Sequence, residues 1–147
     1  VSVRKILKHS WVFFVAIALV VCGTVLWHQK SLKIIYLDKQ PLIVEVASTE
    51  KARQIGLSGQ SSMQKGHGML FAFDGPSKSC MWMKDMQFPL DVYWYSATGQ
   101  PIGVYKNVRP SSFPEIFCPQ IPASYMLEVN VGQLSVSPKK ITIPANQ

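Results

Sequence analysis

Three polar side chains that could act together lie between residues 82 and 91. Trp82 and Lys84 alternate along one short segment, and Asp91 follows Pro89 at the start of an apolar run. An indole ring can stack on a ligand, and two opposite charges can orient it. A structural interpretation is favoured over this one: Lys84 and Asp91 form an ion pair, with Trp82 packed beneath the lysine stem. Both interpretations place the three side chains together.

Two carboxylates, Asp85 and Asp91, could serve as the acid and base of a hydrolase. The neighbouring Lys84 argues against this role, because its charge lowers the pKa of a nearby acid instead of raising it. His67 stands between two glycines, a setting that suits neither a rigid general base nor a triad. The sequence contains no G-x-S-x-G or H-E-x-x-H motif and no phosphate-binding glycine loop. The residues therefore favour a binding or structural protein over an enzyme.

Sulfur-containing side chains are concentrated in the same region. Five of the six methionines fall within residues 63–86, with His67 and Cys80 nearby, and soft thioethers select Cu(I). On a strand, however, Met81 and Met83 would share one face, and methionine commonly fills hydrophobic cores. Copper binding is therefore a second alternative, and the sequence assigns no metal and no cofactor.

Cys80 and Cys118 are the two cysteines outside the apolar N-terminal run. A disulfide between them is permitted if the domain lies in an oxidising compartment, and it would constrain the unfolded chain by roughly 3 to 4 kcal/mol. Two unlinked cysteines fit the sequence equally well. A thioredoxin-like role is disfavoured because the chain has no C-x-x-C pair.

Short β-rich segments would have to position these residues. The segments predicted as strands are Leu42–Ala47, Gly68–Phe73, Ser79–Met83, Leu90–Tyr95, Ile102–Val108, Ser124–Val129 and Lys140–Ile143. A short helix is predicted to begin after Ser48 or Thr49 and to end at Gly56, and Asp74–Ser77 is predicted as a turn. The fold class is α+β, mainly β: a compact mixed β-sheet or barrel-like domain of about seven short strands and one short helix, preceded by one transmembrane helix.

Five sequence blocks with ordered spacing resemble one family. They are Arg53-x-x-Gly56-Leu57, Gly68-Met69-Leu70-Phe71-x-Phe73, Trp82-Met83-Lys84, Pro89-Leu90-Asp91, and Tyr125-x-Leu127-Glu128-Val129 with Gly132 behind it. This pattern, from about Ile43 to Ile143, resembles the bacterial and archaeal family called domain of unknown function 192. The resemblance implies the family fold and a protein that is often secreted or membrane anchored, and it assigns no activity.

Membership in these blocks adds Arg53 to Trp82, Lys84 and Asp91 as a candidate ligand residue. Glu128 lies in a block as well, and it could be the partner of Arg53. The chain departs from the family at three places. Asp85 stands where Asn is common, Cys80 and Met81 replace an aromatic position, and Cys118 is alone in a loop that often holds two cysteines.

The N-terminal region contains a hydrophobic run from Trp11 to Trp27, seventeen residues without a charge. As a helix it would span roughly 26 Å, close to the hydrocarbon thickness of a bilayer. Tryptophan stands at both ends and three basic residues precede the run, which predicts an uncleaved anchor with a cytoplasmic N-terminus. A cleavable signal peptide is the alternative, but no A-x-A-like site follows. Val21 before Cys22 disfavours lipid attachment there.

The predicted organisation is a cytoplasmic basic start (1–10), a transmembrane anchor (11–27), a linker (28–41) and an extracytoplasmic mainly-β domain (42–147). Of the net charge of +7, residues 1–33 supply +5, since they hold five basic residues and no acid. The rest carries ten basic and eight acidic residues, which disfavours nucleic-acid binding. The expected partners are the membrane, through the N-terminal helix, and a small ligand, an envelope polymer or a protein.

The sequence therefore predicts a single-pass protein of the cell membrane whose domain is a ligand-binding or structural module of the cell envelope. An envelope hydrolase that uses Asp91 or Asp85 is the alternative. The two functions differ in what should surround these residues. An apolar cleft with converging carboxylates and a raised pKa would favour the hydrolase, whereas a flat or filled region would favour the module.

Overall fold

The computed structural model describes residues 31–134 and 139–144. Over this part of the chain the strands are β1 (Leu32–Leu37), β2 (Gln40–Ala47), β3 (His67–Ser77), β4 (Leu90–Tyr95), β5 (Pro101–Val108), β6 (Ala123–Asn130) and β7 (Ile141–Thr142). The α-helix α1 (Glu50–Ile55) lies between β2 and β3, and one 3-10 turn covers Pro110–Ser112.

The seven strands form one sheet in the order β5-β4-β6-β3-β2-β1-β7, curved into a half-barrel. β2 and β3 are parallel because α1 connects them, and the other neighbouring strands are antiparallel. The prediction of a mainly-β domain of about seven strands with one short helix is confirmed for the described residues.

Each face of the sheet carries its own apolar cluster. On the face that packs against α1, here called the helix face, the cluster includes Met69, Phe71, Val92, Trp94 and Met126. The cluster of the opposite face includes Ile35, Leu70, Tyr93, Leu127 and Val129. All six residues of β4 are buried, as expected of a strand covered on both sides.

Local sequence signals place α1 against the sheet. The Thr49 hydroxyl accepts a hydrogen bond from the Ala52 N–H at 3.2 Å, which caps the first turn. Gly56 ends the helix with φ of 51°. A Cβ at Gly56 would lie 3.4 Å from the Phe71 ring, an ordinary van der Waals distance, so the need for glycine here comes from the positive φ.

Two elements differ from the sequence predictions. The predicted linker 28–41 contains β1, in which Ile35 and Leu37 are buried and pair across to β2. The predicted strand Ser79–Met83 has only one isolated bridge, between Met81 and Phe117. It forms no ladder because the chain turns at once, with Asp85 at φ of 58°.

The predicted turn Asp74–Ser77 belongs to β3, which continues through a register shift until Ser77 pairs with Ala123. The predicted transmembrane helix over residues 11–27 lies outside the described residues. Within residues 31–134 and 139–144, no helix is long and apolar enough to cross a bilayer.

Candidate functional site

A cavity of about 690 Å³ lies on the helix face of the sheet. It is bounded by α1, by the helix face and by residues 79–86, here called the rim segment. Its apolar lining includes Leu57, Phe71, Phe73, Met81, Leu90 and Met126; its charged lining is Glu50, Arg53, Lys84, Asp85 and Glu128. The volume falls within the range of small-molecule sites.

Glu128 is the buried acid of this cavity. It lies on β6 between Met69 of β3 and Val92 of β4, and only 5% of the residue is exposed. Burial raises the pKa of its carboxyl to about 8. Among the described residues, no hydrogen bond or ion pair compensates this carboxyl. At neutral pH it is therefore mostly protonated, and it can donate a hydrogen bond into the cavity.

The pairing of Glu128 with Arg53 that the sequence left open is not formed. Arg53 Nη1 donates to the carbonyl oxygens of Ser48 and Ala72, both at 2.8 Å. Arg53 Nη2 contacts the carboxylates of Glu50 at 3.2 Å and Asp74 at 3.3 Å. The guanidinium thus ties α1 to the end of β2 and to the body of β3, and its terminal nitrogens are already occupied.

A signal for Glu128 was present in the sequence of β6. Leu127 and Val129 occupy the opposite face, so the alternation of the strand places Glu128 beside Met126 on the helix face. A single acid at a core-facing position of an apolar strand indicates either a buried partner or a ligand site. Only the packing of neighbouring strands distinguishes the two.

Trp82 and Lys84 lie at the edge of the cavity. Trp82 is 53% exposed and packs edge to face on Phe113, with ring centroids 6.1 Å apart. The rim segment is held to the chain after α1, because the Ser58 hydroxyl donates to the Lys84 carbonyl at 3.1 Å. The Gly59 N–H donates in the same way to the carbonyl of Asp85 at 3.0 Å.

Asp85, one of the departures from the family pattern, has a structural explanation. Its φ of 58° lies in the left-handed region, which Asn and Asp tolerate better than other residues with side chains. Aspartate can therefore replace asparagine here without changing the backbone, while it adds a negative charge to the edge of the cavity.

Asp91 lies on the opposite face of the sheet and does not line the cavity. It accepts hydrogen bonds from the N–H groups of Asn107 at 2.9 Å and Gly132 at 3.0 Å, and from Lys106 Nζ at 3.0 Å. Burial alone would raise its pKa, but these donors and the lysine charge lower it below the usual range. The predicted ion pair between Lys84 and Asp91 is therefore wrong.

Of the four predicted ligand residues, the cavity brings together Arg53, Trp82 and Lys84 and leaves out Asp91. The same placement removes Asp91 as a base for chemistry in this cavity. Asp85, the other carboxylate of the hydrolase alternative, does line it.

The two cysteines left open by the sequence are joined in a disulfide, with an S–S distance of 2.09 Å. The Cys80 sulfur is therefore no thiolate, and Met81 and Met83 are buried in the cluster of the helix face. Within the described ranges, no group of three or more His, Cys, Asp or Glu residues could hold a metal ion. The copper alternative thus lacks its cysteine ligand.

The model of a family described as an uncharacterized ACR, DUF192, matches residues 32–138. The chain belongs to the DUF192 family. Its blocks contain Arg53, Trp82, Lys84 and Glu128, which line the cavity, and Asp91, which does not. No curated protein matches this DUF192 chain.

Two solved structures are similar to this DUF192 chain. One is a proposed transcription regulator from Sinorhizobium meliloti 1021, with 29% identity and a TM-score of 0.71, covering 78% of this chain and 95% of that one. The other is a protein of unknown function from Novosphingobium aromaticivorans DSM 12444, with 20% identity and a TM-score of 0.67. The match covers 76% of this chain and 84% of that one, and this second likeness concerns the fold alone.

Proposed function

We propose that this DUF192 chain is a ligand-binding module whose small ligand enters the cavity between α1 and the rim segment and reaches the carboxyl of Glu128. The observation that carries the proposal is a buried acid on the wall of a cavity, with no partner among the residues that the structure describes. A buried polar group without a partner costs stability, whereas an apolar residue would not. A ligand that bonds to this carboxyl would offset the cost.

The edge of the cavity offers further contacts. Trp82 presents an exposed ring on which a ligand can stack, and Lys84 is an exposed cation next to it. Arg53 acts differently: it positions α1, since its terminal nitrogens are bonded to four acceptors. A ligand is therefore held by Glu128 inside and by Trp82 and Lys84 outside.

A thermal-shift screen of the full chain in nonionic detergent tests this proposal. The probes are peptidoglycan fragments, metal ions and nucleotides, and each hit is repeated with Glu128→Gln and with Glu115→Gln. Glu115 is an exposed carboxylate that does not line the cavity, so its variant is the matched control. We expect hits to shift wild type and Glu115→Gln but not Glu128→Gln. A shift that survives in Glu128→Gln would place the site elsewhere.

A second candidate function, an envelope hydrolase, is favoured by one observation. A carboxyl with pKa raised to about 8 can act as a general acid at neutral pH, and Glu128 meets that condition inside a cavity that Asp85 also lines. Glu128 would protonate the leaving oxygen, and Asp85 would activate water.

The hydrolase is tested by release of new ends from peptidoglycan fragments. We expect Glu128→Gln and Asp85→Asn each to abolish any turnover while leaving the fold intact by circular dichroism. Fragments that bind wild type and are recovered unchanged would support the binding module and eliminate the hydrolase.

We also propose that the chain is anchored in the cell membrane through residues 11–27, with the DUF192 domain on the extracytoplasmic side. Two observations support this topology: the uncharged run between two tryptophans, and a disulfide of the kind that persists in oxidising compartments. A reporter fused behind Gln147 should be active only outside the cytoplasm. Activity of the reporter inside the cell would overturn the topology.

A further inference from the structure

We propose that the ligand of the cavity is an organic cation, an amine whose ammonium group pairs with the Glu128 carboxylate while its apolar body lies among the cavity's aromatic rings. The inference rests on the proposed binding cavity and adds the charge class of the ligand. It follows from the placement of the charged groups around the cavity.

The described lining of the cavity holds two cations, Arg53 and Lys84, and neither is paired with Glu128. Arg53 lines it, but Glu50 and Asp74 neutralise the guanidinium, and two carbonyl oxygens occupy Nη1. Lys84 is exposed at the edge, next in sequence to the oppositely charged Asp85. Of the lining carboxyls, Glu128 is the buried one, and no described residue forms an ion pair with it.

An anionic ligand would meet the Glu128 carboxyl, to which no described residue supplies a positive partner. A neutral ligand could accept one hydrogen bond from the protonated carboxyl. A cationic ligand gains more, because a charge-assisted contact between ammonium and carboxylate in a low-dielectric site is stronger than a neutral hydrogen bond. The site therefore discriminates in favour of the cation.

Aromatic side chains support the same ligand class. Phe71 and Phe73 line the inner wall, and Trp82 lines the edge. Ring faces attract cations and also bury the carbon skeleton of an amine. The cavity of about 690 Å³ has room for an aryl-alkyl amine. Phe113, edge to face with Trp82, extends the aromatic surface outward.

Binding of the amine has a defined proton balance. The free protein holds a proton on Glu128, and the amine arrives as an ammonium ion, so formation of the ion pair releases the Glu128 proton to the buffer. At pH 6.5, where a carboxyl with pKa about 8 is almost fully protonated, the release should approach about one proton per amine. A neutral ligand would release none.

Three probes that share a 2-phenylethyl group test the inference: 2-phenylethylamine, 2-phenylethanol and 3-phenylpropionate. Each is titrated by calorimetry into the full chain in nonionic detergent at pH 6.5, in two buffers that differ in ionisation enthalpy. Protein-free micelles are the blank. We expect the amine to bind at least roughly tenfold more tightly than the alcohol, with proton release, and the propionate to bind no better than the alcohol.

Variants connect this selectivity to Glu128. In Glu128→Gln the affinity for the amine should fall to that for the alcohol, and proton release should disappear, whereas Glu115→Gln should match wild type. Equal affinities for amine and alcohol in wild type, or a preference for the propionate, would contradict the proposal that the ligand is a cation. Either result would leave the proposed binding cavity unaffected. If none of the three probes binds, the cation inference fails, while the cavity is judged by the separate screen. If Glu128→Gln does not fold, proton release by wild type on binding the amine still tests whether the ligand is a cation.

Discussion

Glu128 is a residue whose position in the fold lowers stability. Its neighbours across the sheet are Met69 and Val92, so a methionine or leucine at position 128 would fit the same apolar face. A buried acid is expected where it serves a ligand, because the fold gains nothing from it. The alternation of β6 predicts that Glu128 lies on the helix face. It does not predict that the carboxyl has no partner among the described residues.

The pH dependence of stability should report this residue directly. The pKa of Glu128 is about 8 in the folded protein and the ordinary value of a glutamate is 4.5, so between these values the folded chain holds a proton that the unfolded chain has released. The contribution of Glu128 to the free energy of unfolding is therefore fully present below about pH 4.5. It decreases by up to about 1.4 kcal/mol per pH unit as the pH rises and is lost once the pH has passed about 8. Urea denaturation between pH 4.5 and 8.5 measures it.

Glu128→Gln should flatten this profile and should exceed wild type in stability at pH 8. Asp91 does not interfere, since donors to its carboxylate hold its pKa below 3.8 and its effect falls at more acidic pH. The exposed Glu115→Gln variant should keep the wild-type slope. An unchanged slope in Glu128→Gln would show that the carboxyl is ionised and solvated in the folded protein.

Arg53 should matter for stability through its carbonyl contacts more than through its ion pairs. Arg53→Gln removes the charged donor to the carbonyl oxygens of Ser48 and Ala72, and we expect a loss of about 2 to 3 kcal/mol in the free energy of unfolding. Asp74→Asn should cost less than about 1 kcal/mol, because its carboxylate is 89% exposed. Equal losses in the two variants by urea denaturation would contradict this division.

At the scale of elements, the sequence predicted those whose signals are local. Thr49 and Gly56 mark the two ends of α1, and the apolar run of β4 is found at its predicted bounds. β1 was missed because its apolar run is short and is flanked by polar residues, and because the burial of Ile35 and Leu37 depends on pairing with β2 and with the distant β7. The segment Ser79–Met83 was wrongly predicted as a strand. Its apolar alternation arises because Met81 and Met83 pack on the sheet without joining it.

The disulfide joins the rim segment to the loop after β5. Cys80 and Cys118 are separated by 38 residues, and loop closure of that length stabilises by about 3 to 4 kcal/mol in the chain-entropy description. The double variant Cys80→Ser, Cys118→Ser should lose this amount in urea denaturation. Wild type under reducing conditions is the control and should unfold at the same midpoint. A loss below about 1 kcal/mol would mean that the bond constrains the unfolded chain little.

At the scale of the whole molecule, the family resemblance located the domain, but the cavity is a product of tertiary structure. Its walls come from α1, the rim segment and three strands that are separated along the chain. Arg53, Trp82 and Lys84 were identified from the blocks, whereas Asp91 was misplaced because strand alternation sends it to the face opposite Glu128. No local pattern reveals which face carries the cavity.

The domain boundary gives the last prediction, because β1 completes the sheet. Ile35 is fully buried, and β1 pairs with both β2 and β7, so a fragment that begins at Lys39 would expose Leu42 and Val44 and leave β7 unpaired. We expect residues 31–147 to unfold cooperatively by circular dichroism, and residues 39–147 to aggregate or to melt without a transition. Ile35→Asp within residues 31–147 should resemble the shorter fragment, whereas the exposed Leu32→Asp should resemble the parent. Cooperative melting of residues 39–147 at the parent's temperature would show that β1 is dispensable.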